Sequence, residues 1–235
     1  MGERKYGKLL TIILVVVVMG VLGLLIFLGI DIYKQITTKE EIKEALNKYD
    51  NMINGQFNVE SSDEDDLVEE DVNIEFFNKE ENKEIEEKPE EKPKPKPENN
   101  TIKHKGYNMV GKIEIPATRL KSPILEKTTP SSIEAAVAIM YSENGVNQVG
   151  NTVIAGHNYR NGSFFGNNDR LKIGDKIYIT DNSGKRIEYK IYNIYETSPD
   201  DSDYIVRDTK GKREVSLTTC TNNSKGRLII WAVER

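Results

Sequence analysis

The sequence predicts a mainly β fold: a closed or nearly closed eight-stranded β-barrel with one or two short helices, preceded by a transmembrane helix and a disordered stalk. Three features carry this prediction. An uncharged apolar run occupies residues 9–30, an acidic and proline-rich stretch covers residues 58–104, and short β-rich runs fill residues 105–235. Short strands separated by regular turn signals are typical of β-barrels. A domain of about 130 residues is also long enough to bury a sizeable core.

The apolar run is predicted to be an uncleaved membrane anchor. At about 1.5 Å per residue, residues 9–30 cover a hydrocarbon core of roughly 30 Å. The alternative is a cleaved signal peptide, but its apolar region would be shorter and would end at a small-residue cleavage site. Here Asp31-Ile-Tyr follows without one. Residues 1–8 hold the basic residues Arg4, Lys5 and Lys8. This predicts a single-pass cell-membrane protein with a cytoplasmic N-terminus and an extracellular barrel.

Two segments connect the anchor to the barrel. Residues 31–57 form a juxtamembrane segment, in which residues 38–49 have the apolar spacing of a short helix that packs weakly or frays. Residues 58–104 carry much of the formal net charge of −5. Such an acidic, proline-rich stretch buries too little apolar surface to offset its ordering entropy, so it is predicted to be a disordered stalk. Its acidic block could instead bind a cation or a partner, and a solvated tether is the preferred interpretation.

The barrel domain is predicted to be residues 105–235. Residues 130–138 favour a helix because they are Ala-rich and have Ser131 and Ser132 near their start. The predicted strands are 107–115, 122–125, 151–155, 175–180, 186–196, 215–220 and 228–233. Asn222 to Gly226 supply turn residues between the last two strands, so these form an antiparallel hairpin.

Cys220 is the only cysteine of the chain and ends the first strand of this hairpin. A buried free cysteine that packs as a small hydrophobe is one interpretation. A lone cysteine outside the cell has no disulfide partner, however, and is a candidate reactive thiol. The hairpin brings Arg227 back towards Cys220, and a neighbouring cation favours the nucleophilic thiolate.

His157 leaves a predicted buried strand and enters a loop rich in Gly and Asn. It is either a surface histidine without a role or the base that partners Cys220, since catalytic groups often lie on loops held by rigid strands. One His and one Cys are too few ligands for a metal site unless carboxylates join them. The domain has no Gly-rich phosphate loop and no basic stripe, so no nucleic-acid partner is expected.

Together these residues resemble the sortases, membrane-anchored cysteine transpeptidases of Gram-positive bacteria. The resemblance lies in Leu217-Thr-Thr-Cys220 followed by Arg227, with Val153-Ile-Ala-Gly-His157 upstream. Ser216 stands where the family pattern Thr-Leu-x-Thr-Cys has its first Thr. Gly111-Lys-Ile-Glu-Ile-Pro116 resembles the opening strand of the family, and the anchor and stalk also fit it.

The resemblance implies a mechanism and a site. Cys220 would attack a sorting motif similar to Leu-Pro-x-Thr-Gly on secreted proteins and form a thioacyl intermediate. His157 would protonate the departing amine and deprotonate the incoming one, which comes from a peptidoglycan precursor or a pilin. Arg227 would hold substrate and stabilise developing negative charge. Further substrate-binding candidates are Thr219, Ser198, Pro199 and Asn158.

The resemblance implies that no cofactor is required. Some relatives bind calcium through acidic loop residues, and Asp200, Asp201 and Asp203 could be read in that way. Exposed carboxylates of a turn are the favoured interpretation, so no metal site is predicted.

Four functions remain open from the sequence. The absence of an Asp-Pro dipeptide favours wall anchoring over pilin polymerisation, because pilin-polymerising members often have an Asp-Pro-aromatic lid. The other two alternatives are a surface cysteine protease, in which water is the acceptor, and a non-catalytic binding module displayed on a stalk.

Overall fold

The computed structural model describes residues 3–60 and 102–235. Residues 61–101, which include most of the predicted stalk, lie outside the described residues. The described chain forms two α-helices and nine strands, with short 3-10 turns at Pro116–Thr118, Asn168–Arg170 and Asn222–Ser224. In chain order the elements are α1 (Glu3–Glu60), β1 (Lys103–His104), β2 (Tyr107–Ile115), β3 (Leu120–Leu125), α2 (Ser132–Ala135), β4 (Val137–Ser142), β5 (Gly150–Ala155), β6 (Lys176–Asp181), β7 (Arg186–Thr197), β8 (Arg213–Thr221) and β9 (Gly226–Glu234).

Eight of the strands form a closed barrel, as the sequence predicts. Their order is β2-β3-β4-β5-β8-β9-β7-β6, and an antiparallel pairing of β6 with β2 closes the sheet. Most neighbours are antiparallel, whereas β3 with β4 and β5 with β8 are parallel. The β3–β4 pairing is the shortest of these and joins only Ile124 with Val137 and Leu125 with Ala138.

The barrel interior is filled by alternate residues of these strands, because successive side chains of a strand point to opposite faces. In β2 the strictly alternating residues Met109, Gly111, Ile113 and Ile115 are buried. The tight turn from β6 to β7 is stabilised by Asp181, whose Oδ1 accepts hydrogen bonds from the Ser183 and Lys185 amides at 3.0 and 3.1 Å. These contacts hold the turn that connects β6 to β7 in the antiparallel pair.

The predicted helix over residues 130–138 is wrong in its extent. The helix α2 spans only Ser132–Ala135, and Ala136 already has an extended backbone (φ −165°, ψ −176°). Val137 begins β4 and pairs with Ile124 of β3. Alanine-rich composition favours a helix weakly, and fully burying Val137 in the barrel core outweighs that preference.

The N-terminal helix is longer than the sequence pattern suggests. A single helix, α1, runs through both the apolar run and residues 38–49. Among the described residues it is the one helix that is long and apolar enough to cross a membrane, and its best window has a mean hydropathy of 3.2. Large apolar side chains between Ile12 and Ile30 stand exposed on the protein surface. Such a continuous exposed apolar surface is typical of a segment that contacts lipid.

The C-terminal part of α1 packs against the barrel. Ala45, Tyr49 and Ile53 lie four residues apart on one helix face, and all three are buried in the same apolar cluster as the barrel interior. The Tyr49 hydroxyl donates a hydrogen bond to the Thr180 carbonyl at 3.2 Å. Burial raises the pKa of this hydroxyl, so it remains a donor at neutral pH.

Two ion pairs flank this contact. Lys105 pairs with Glu41 at 2.8 Å, and Lys112 pairs with Asp50. Just before the predicted boundary at residue 105, His104 of β1 is buried and contacts the Ala135 carbonyl at 3.2 Å. The helix after the apolar run is therefore attached directly to the barrel.

We expect Tyr49→Ala to lower the free energy of unfolding of the barrel by about 3 kcal/mol, because the change empties a fully buried aromatic site. Chemical denaturation of the full chain in detergent, followed by the fluorescence of the single tryptophan, Trp231, measures this loss. Tyr33→Ala is the matched control, because that side chain of the same helix is 69% exposed. Equal denaturation midpoints for the two variants would show that α1 does not stabilise the barrel.

Candidate active site

Three neighbouring strands bring the predicted catalytic residues to one edge of the barrel. The strands β5 and β8 are parallel, with Ala155 opposite Thr218, so both run towards the same edge. His157 follows the end of β5, and Cys220 lies near the end of β8. The strand β9 returns antiparallel to β8 and places Arg227 directly opposite Cys220. Residues that face each other in this way have their side chains on the same side of the sheet.

The turn between β8 and β9 fixes this register. The 3-10 turn Asn222–Ser224 connects the strands, and Asn223 and Ser224 have positive φ values of 52° and 70°. Asn tolerates this left-handed region better than most residues, which is the signal that predicted the hairpin. The hairpin is confirmed, with Thr221 paired to Gly226 next to the turn.

His157 and Cys220 line one cleft of about 540 Å³. Cys220 is half-buried and unpaired, so its thiol is not enclosed in the apolar core. Arg227 is not among the residues that line this cleft, and its guanidinium Nη1 donates to the Gly226 carbonyl at 3.1 Å. The residues lining the cleft are His157, Asn158, Tyr159, Arg160, Cys220, Thr221, Asn223 and Ser224.

The loop after β5 is held close to the cysteine. The Asn158 side-chain amide donates to the Cys220 carbonyl at 2.9 Å, and the Phe165 amide donates to the His157 carbonyl at 3.0 Å. A Cβ on Gly156 would lie 2.7 Å from the Phe165 ring. Phe165 can therefore pack against the backbone at position 156 only because that residue is a glycine. Asn158, which the sequence analysis placed among the substrate-binding candidates, thus also joins the histidine loop to β8.

The structure adds an acidic residue that the sequence analysis did not identify. Glu134 of α2 lies with its Oε1 3.2 Å from Nε2 of His157. Among the described residues Nε2 makes no aligned hydrogen bond, so the contact acts as an ion pair when the imidazole is protonated. The other oxygen of Glu134 accepts a hydrogen bond from the Tyr159 hydroxyl. Because Glu134 is distant from His157 in the sequence, no local pattern indicated the contact.

Thr219 turns away from the cysteine side of β8. Its side chain is buried, and its hydroxyl donates to the Gly156 carbonyl at 2.7 Å. Consecutive residues of a strand face opposite sides, so Thr219 and Cys220 do not share a face. The hydroxyl therefore connects β8 to the start of the histidine loop, and a role in substrate binding stays a prediction.

Ser198 and Pro199 begin the loop that follows β7, and both are exposed. The residue before them, Thr197, pairs with Arg227 across β7 and β9. This loop therefore starts at the same edge of the sheet as Cys220 and Arg227. A role of Ser198 and Pro199 in substrate binding stays a prediction.

One acidic residue of this loop, Asp201, forms hydrogen bonds within the loop itself. The Asp201 carboxylate accepts hydrogen bonds from the Thr197 hydroxyl at 2.5 Å and from the Asp203 amide at 2.9 Å, and these bonds lower its pKa. Within residues 3–60 and 102–235, no group of three or more His, Cys, Asp or Glu is arranged to hold a metal. The expectation that the chemistry needs no cofactor stays a prediction.

The closed barrel, with a cysteine and a histidine at one edge, is compared with known protein families. The Sortase domain model matches residues 113–235. The chain belongs to the sortase family. Sortase A of Bacillus anthracis is 36% identical over 121 residues, which are 50% of this chain and 56% of that protein.

Solved structures agree with this assignment. Sortase A from Corynebacterium diphtheriae has a TM-score of 0.50 at 26% identity, over 55% of this chain and 61% of that chain. Pilus-related Sortase C of Group B Streptococcus also has a TM-score of 0.50 at 26% identity, over 54% of this chain and 67% of that chain. The chain spans about half the length of the curated relatives that it matches.

Proposed function

We propose that this protein is a cysteine transpeptidase that cleaves a Leu-Pro-x-Thr-Gly-like sorting motif and joins the cleaved protein to an amine of the cell wall. The observation that carries the proposal is the strand register. Parallel pairing of β5 with β8 and antiparallel pairing of β8 with β9 bring His157, Cys220 and Arg227 to one edge. Membership of the sortase family supports the same reaction class.

The first half-reaction forms a thioester. The Cys220 thiolate attacks the carbonyl carbon of the Thr–Gly bond, and negative charge develops on the carbonyl oxygen. The Arg227 guanidinium stabilises this oxygen, and the peptide C–N bond then breaks. Protonated His157 supplies the proton that the departing Gly amine needs.

The second half-reaction uses the same groups in reverse. The incoming amine attacks the thioester and loses its proton to neutral His157. The C–S bond breaks and the Cys220 thiolate is regenerated, so no external oxidant or reductant is consumed. A peptidoglycan cross-bridge amine is the proposed acceptor. The absence of an Asp-Pro dipeptide favours it over a pilin lysine.

Mass spectrometry of the products tests this reaction. The full chain in detergent is incubated with a library of Leu-Pro-x-Thr-Gly-type peptides and either a peptidoglycan-type glycyl amine or a pilin-type lysyl peptide. A ligated product with the glycyl amine is expected. Ligation to the lysyl peptide alone would assign pilin polymerisation, a free acid would assign hydrolysis, and unchanged peptides throughout would support the binding module.

The proposed localisation is the cell membrane, with the N-terminus in the cytoplasm and the barrel outside. Support comes from the apolar part of α1 and from the basic residues of residues 1–8. Protease added to intact cells is expected to degrade the barrel while an epitope at the N-terminus survives. Survival of the barrel until the cells are lysed would reverse this orientation.

A further inference from the structure

The short helix α2 holds Glu134 at a fixed place beside the histidine. The Ser132 side chain is fully buried, its hydroxyl donates to the Lys127 carbonyl at 2.7 Å, and its Oγ accepts from the Thr129 amide at 2.8 Å. On the other side, the Ala135 carbonyl contacts buried His104 at 3.2 Å. The backbone that carries Glu134 is therefore restrained, although the Glu134 side chain itself is 62% exposed.

Both carboxylate oxygens of Glu134 have partners. Oε1 lies 3.2 Å from Nε2 of His157, and Oε2 accepts the Tyr159 hydroxyl. The Tyr159 ring also lies against the imidazole, with the ring centroids 5.0 Å apart. Burial and the bond to Glu134 raise the pKa of Tyr159 to about 12, so its hydroxyl remains a donor at neutral pH. Tyr159 thus restrains both the carboxylate and the imidazole that it faces.

The charges around His157 come from several elements. Arg160 of the same loop and Cys220 of β8 line the cleft with it, and Arg227 of β9 lies opposite Cys220. Glu134 is the anion in direct contact with the ring. A carboxylate next to one ring nitrogen favours the proton on that nitrogen.

We propose that Glu134 is a positioning residue for His157. It keeps a proton on Nε2, so that Nδ1 exchanges protons with Cys220 and with the departing and incoming amines. When Cys220 gives its proton to Nδ1, the ring becomes cationic and the Glu134 carboxylate stabilises that cation. The inference rests on the proposed function, in which His157 is both acid and base. Because Glu134 is largely exposed, water screens the pair and limits its effect to about fivefold.

Alkylation of the thiol tests the inference without any peptide substrate. Cys220 is the only cysteine, so the rate of its reaction with iodoacetamide reports the thiolate directly. We expect Glu134→Gln in the full chain to slow alkylation about fivefold near neutral pH, because the imidazolium that favours the thiolate loses its counter-charge. The rate is measured in both proteins from acid to alkaline pH, so that the effect of the counter-charge is compared over the whole profile.

Three further variants test whether the charge of Glu134 is responsible. Glu134→Asp keeps the charge and should recover part of the rate. Glu143→Gln is the matched control, because this exposed glutamate follows the far end of β4, about 20 Å from α2. Tyr159→Phe releases one oxygen of Glu134 and should give a smaller shift in the same direction, which supplies a second test should Glu134→Gln unfold.

Nitrogen chemical shifts of labelled histidine give a direct readout of the ring proton. The chain has only two histidines, so His157 is assigned by comparison with His157→Ala. The neutral ring should carry its proton on Nε2 in the wild type and shift towards a mixture in Glu134→Gln. Profiles and spectra of Glu134→Gln that match those of Glu143→Gln would overturn the inference. A different outcome would separate the two proposals. If Glu134→Gln changes the alkylation profile and the histidine spectrum as expected, but the wild type ligates no sorting peptide, the proposed function is refuted and the role of Glu134 stands.

Discussion

Cys220→Ala is expected to reduce thioacyl formation and peptide ligation by at least about three orders of magnitude, because the chain has no second thiol to replace the nucleophile. His157→Ala should lose activity to a similar extent, since each half-reaction needs a proton transfer at the same place. Groups that act as a unit fail together, so the double variant should be no worse than either single one.

The measurement is the yield of acylated enzyme by intact mass spectrometry, together with the initial rate of ligation. The internal control is an alkylating reagent, which should add one group to the wild type and none to Cys220→Ala. An unchanged Tm for both variants would show that the loss is chemical, as expected for a half-buried side chain at the edge of the barrel. Ligation by Cys220→Ala at near the wild-type rate would eliminate the proposed mechanism.

Local sequence patterns predicted the elements of this site well. The β-branched run before Cys220, the Asn-rich turn and the apolar run of β9 are adjacent in the chain, so one hairpin follows from them directly. His157 was located by the Val-Ile-Ala-Gly run before it, which is the buried end of β5. The parallel pairing that places β5 beside β8 carries no local signal. The positions of His157 and Cys220 at strand ends only suggested a nucleophile–base pair, and the family resemblance supported it.

Contacts between distant segments were beyond the sequence pattern. Tyr49 and Thr180 are 131 residues apart. In the sequence Tyr49 is only one apolar position of a weakly amphipathic helix, and no local pattern indicates that it contacts the barrel. Glu134 likewise resembles an ordinary exposed glutamate, because its importance depends on where the β5 loop places His157. The extent of α2 was mispredicted for a related reason: burial of Val137 between β3 and β5 is a property of the closed sheet.

Arg227→Lys is the sharpest test of the remaining site residue. Arg227 lies opposite Cys220 on one side and Thr197 on the other, at the edge where the proposed reaction requires substrate to reach the thiol. The alternative to a catalytic role is an arginine that closes its hairpin, because its guanidinium donates to the neighbouring Gly226 carbonyl. Such a contact would contribute about 1 kcal/mol to stability and nothing to chemistry.

The planar guanidinium can donate at once to a substrate carbonyl and to the oxygen that becomes negative, whereas lysine offers a point charge. We therefore expect Arg227→Lys to keep the wild-type Tm and to lose about 100-fold in kcat/KM, which is the cost of removing one oxyanion donor. The loss should appear in the acylation step, measured by rapid quenching and mass spectrometry. Arg186→Lys is the matched control, because Arg186 pairs with Glu114 at 2.7 Å and begins β7 about 35 Å from Thr197. Acylation by Arg227→Lys within about threefold of the control would contradict this expectation. It would show that the planar guanidinium is not needed, and that residue 227 contributes only a positive charge or a contact within the hairpin.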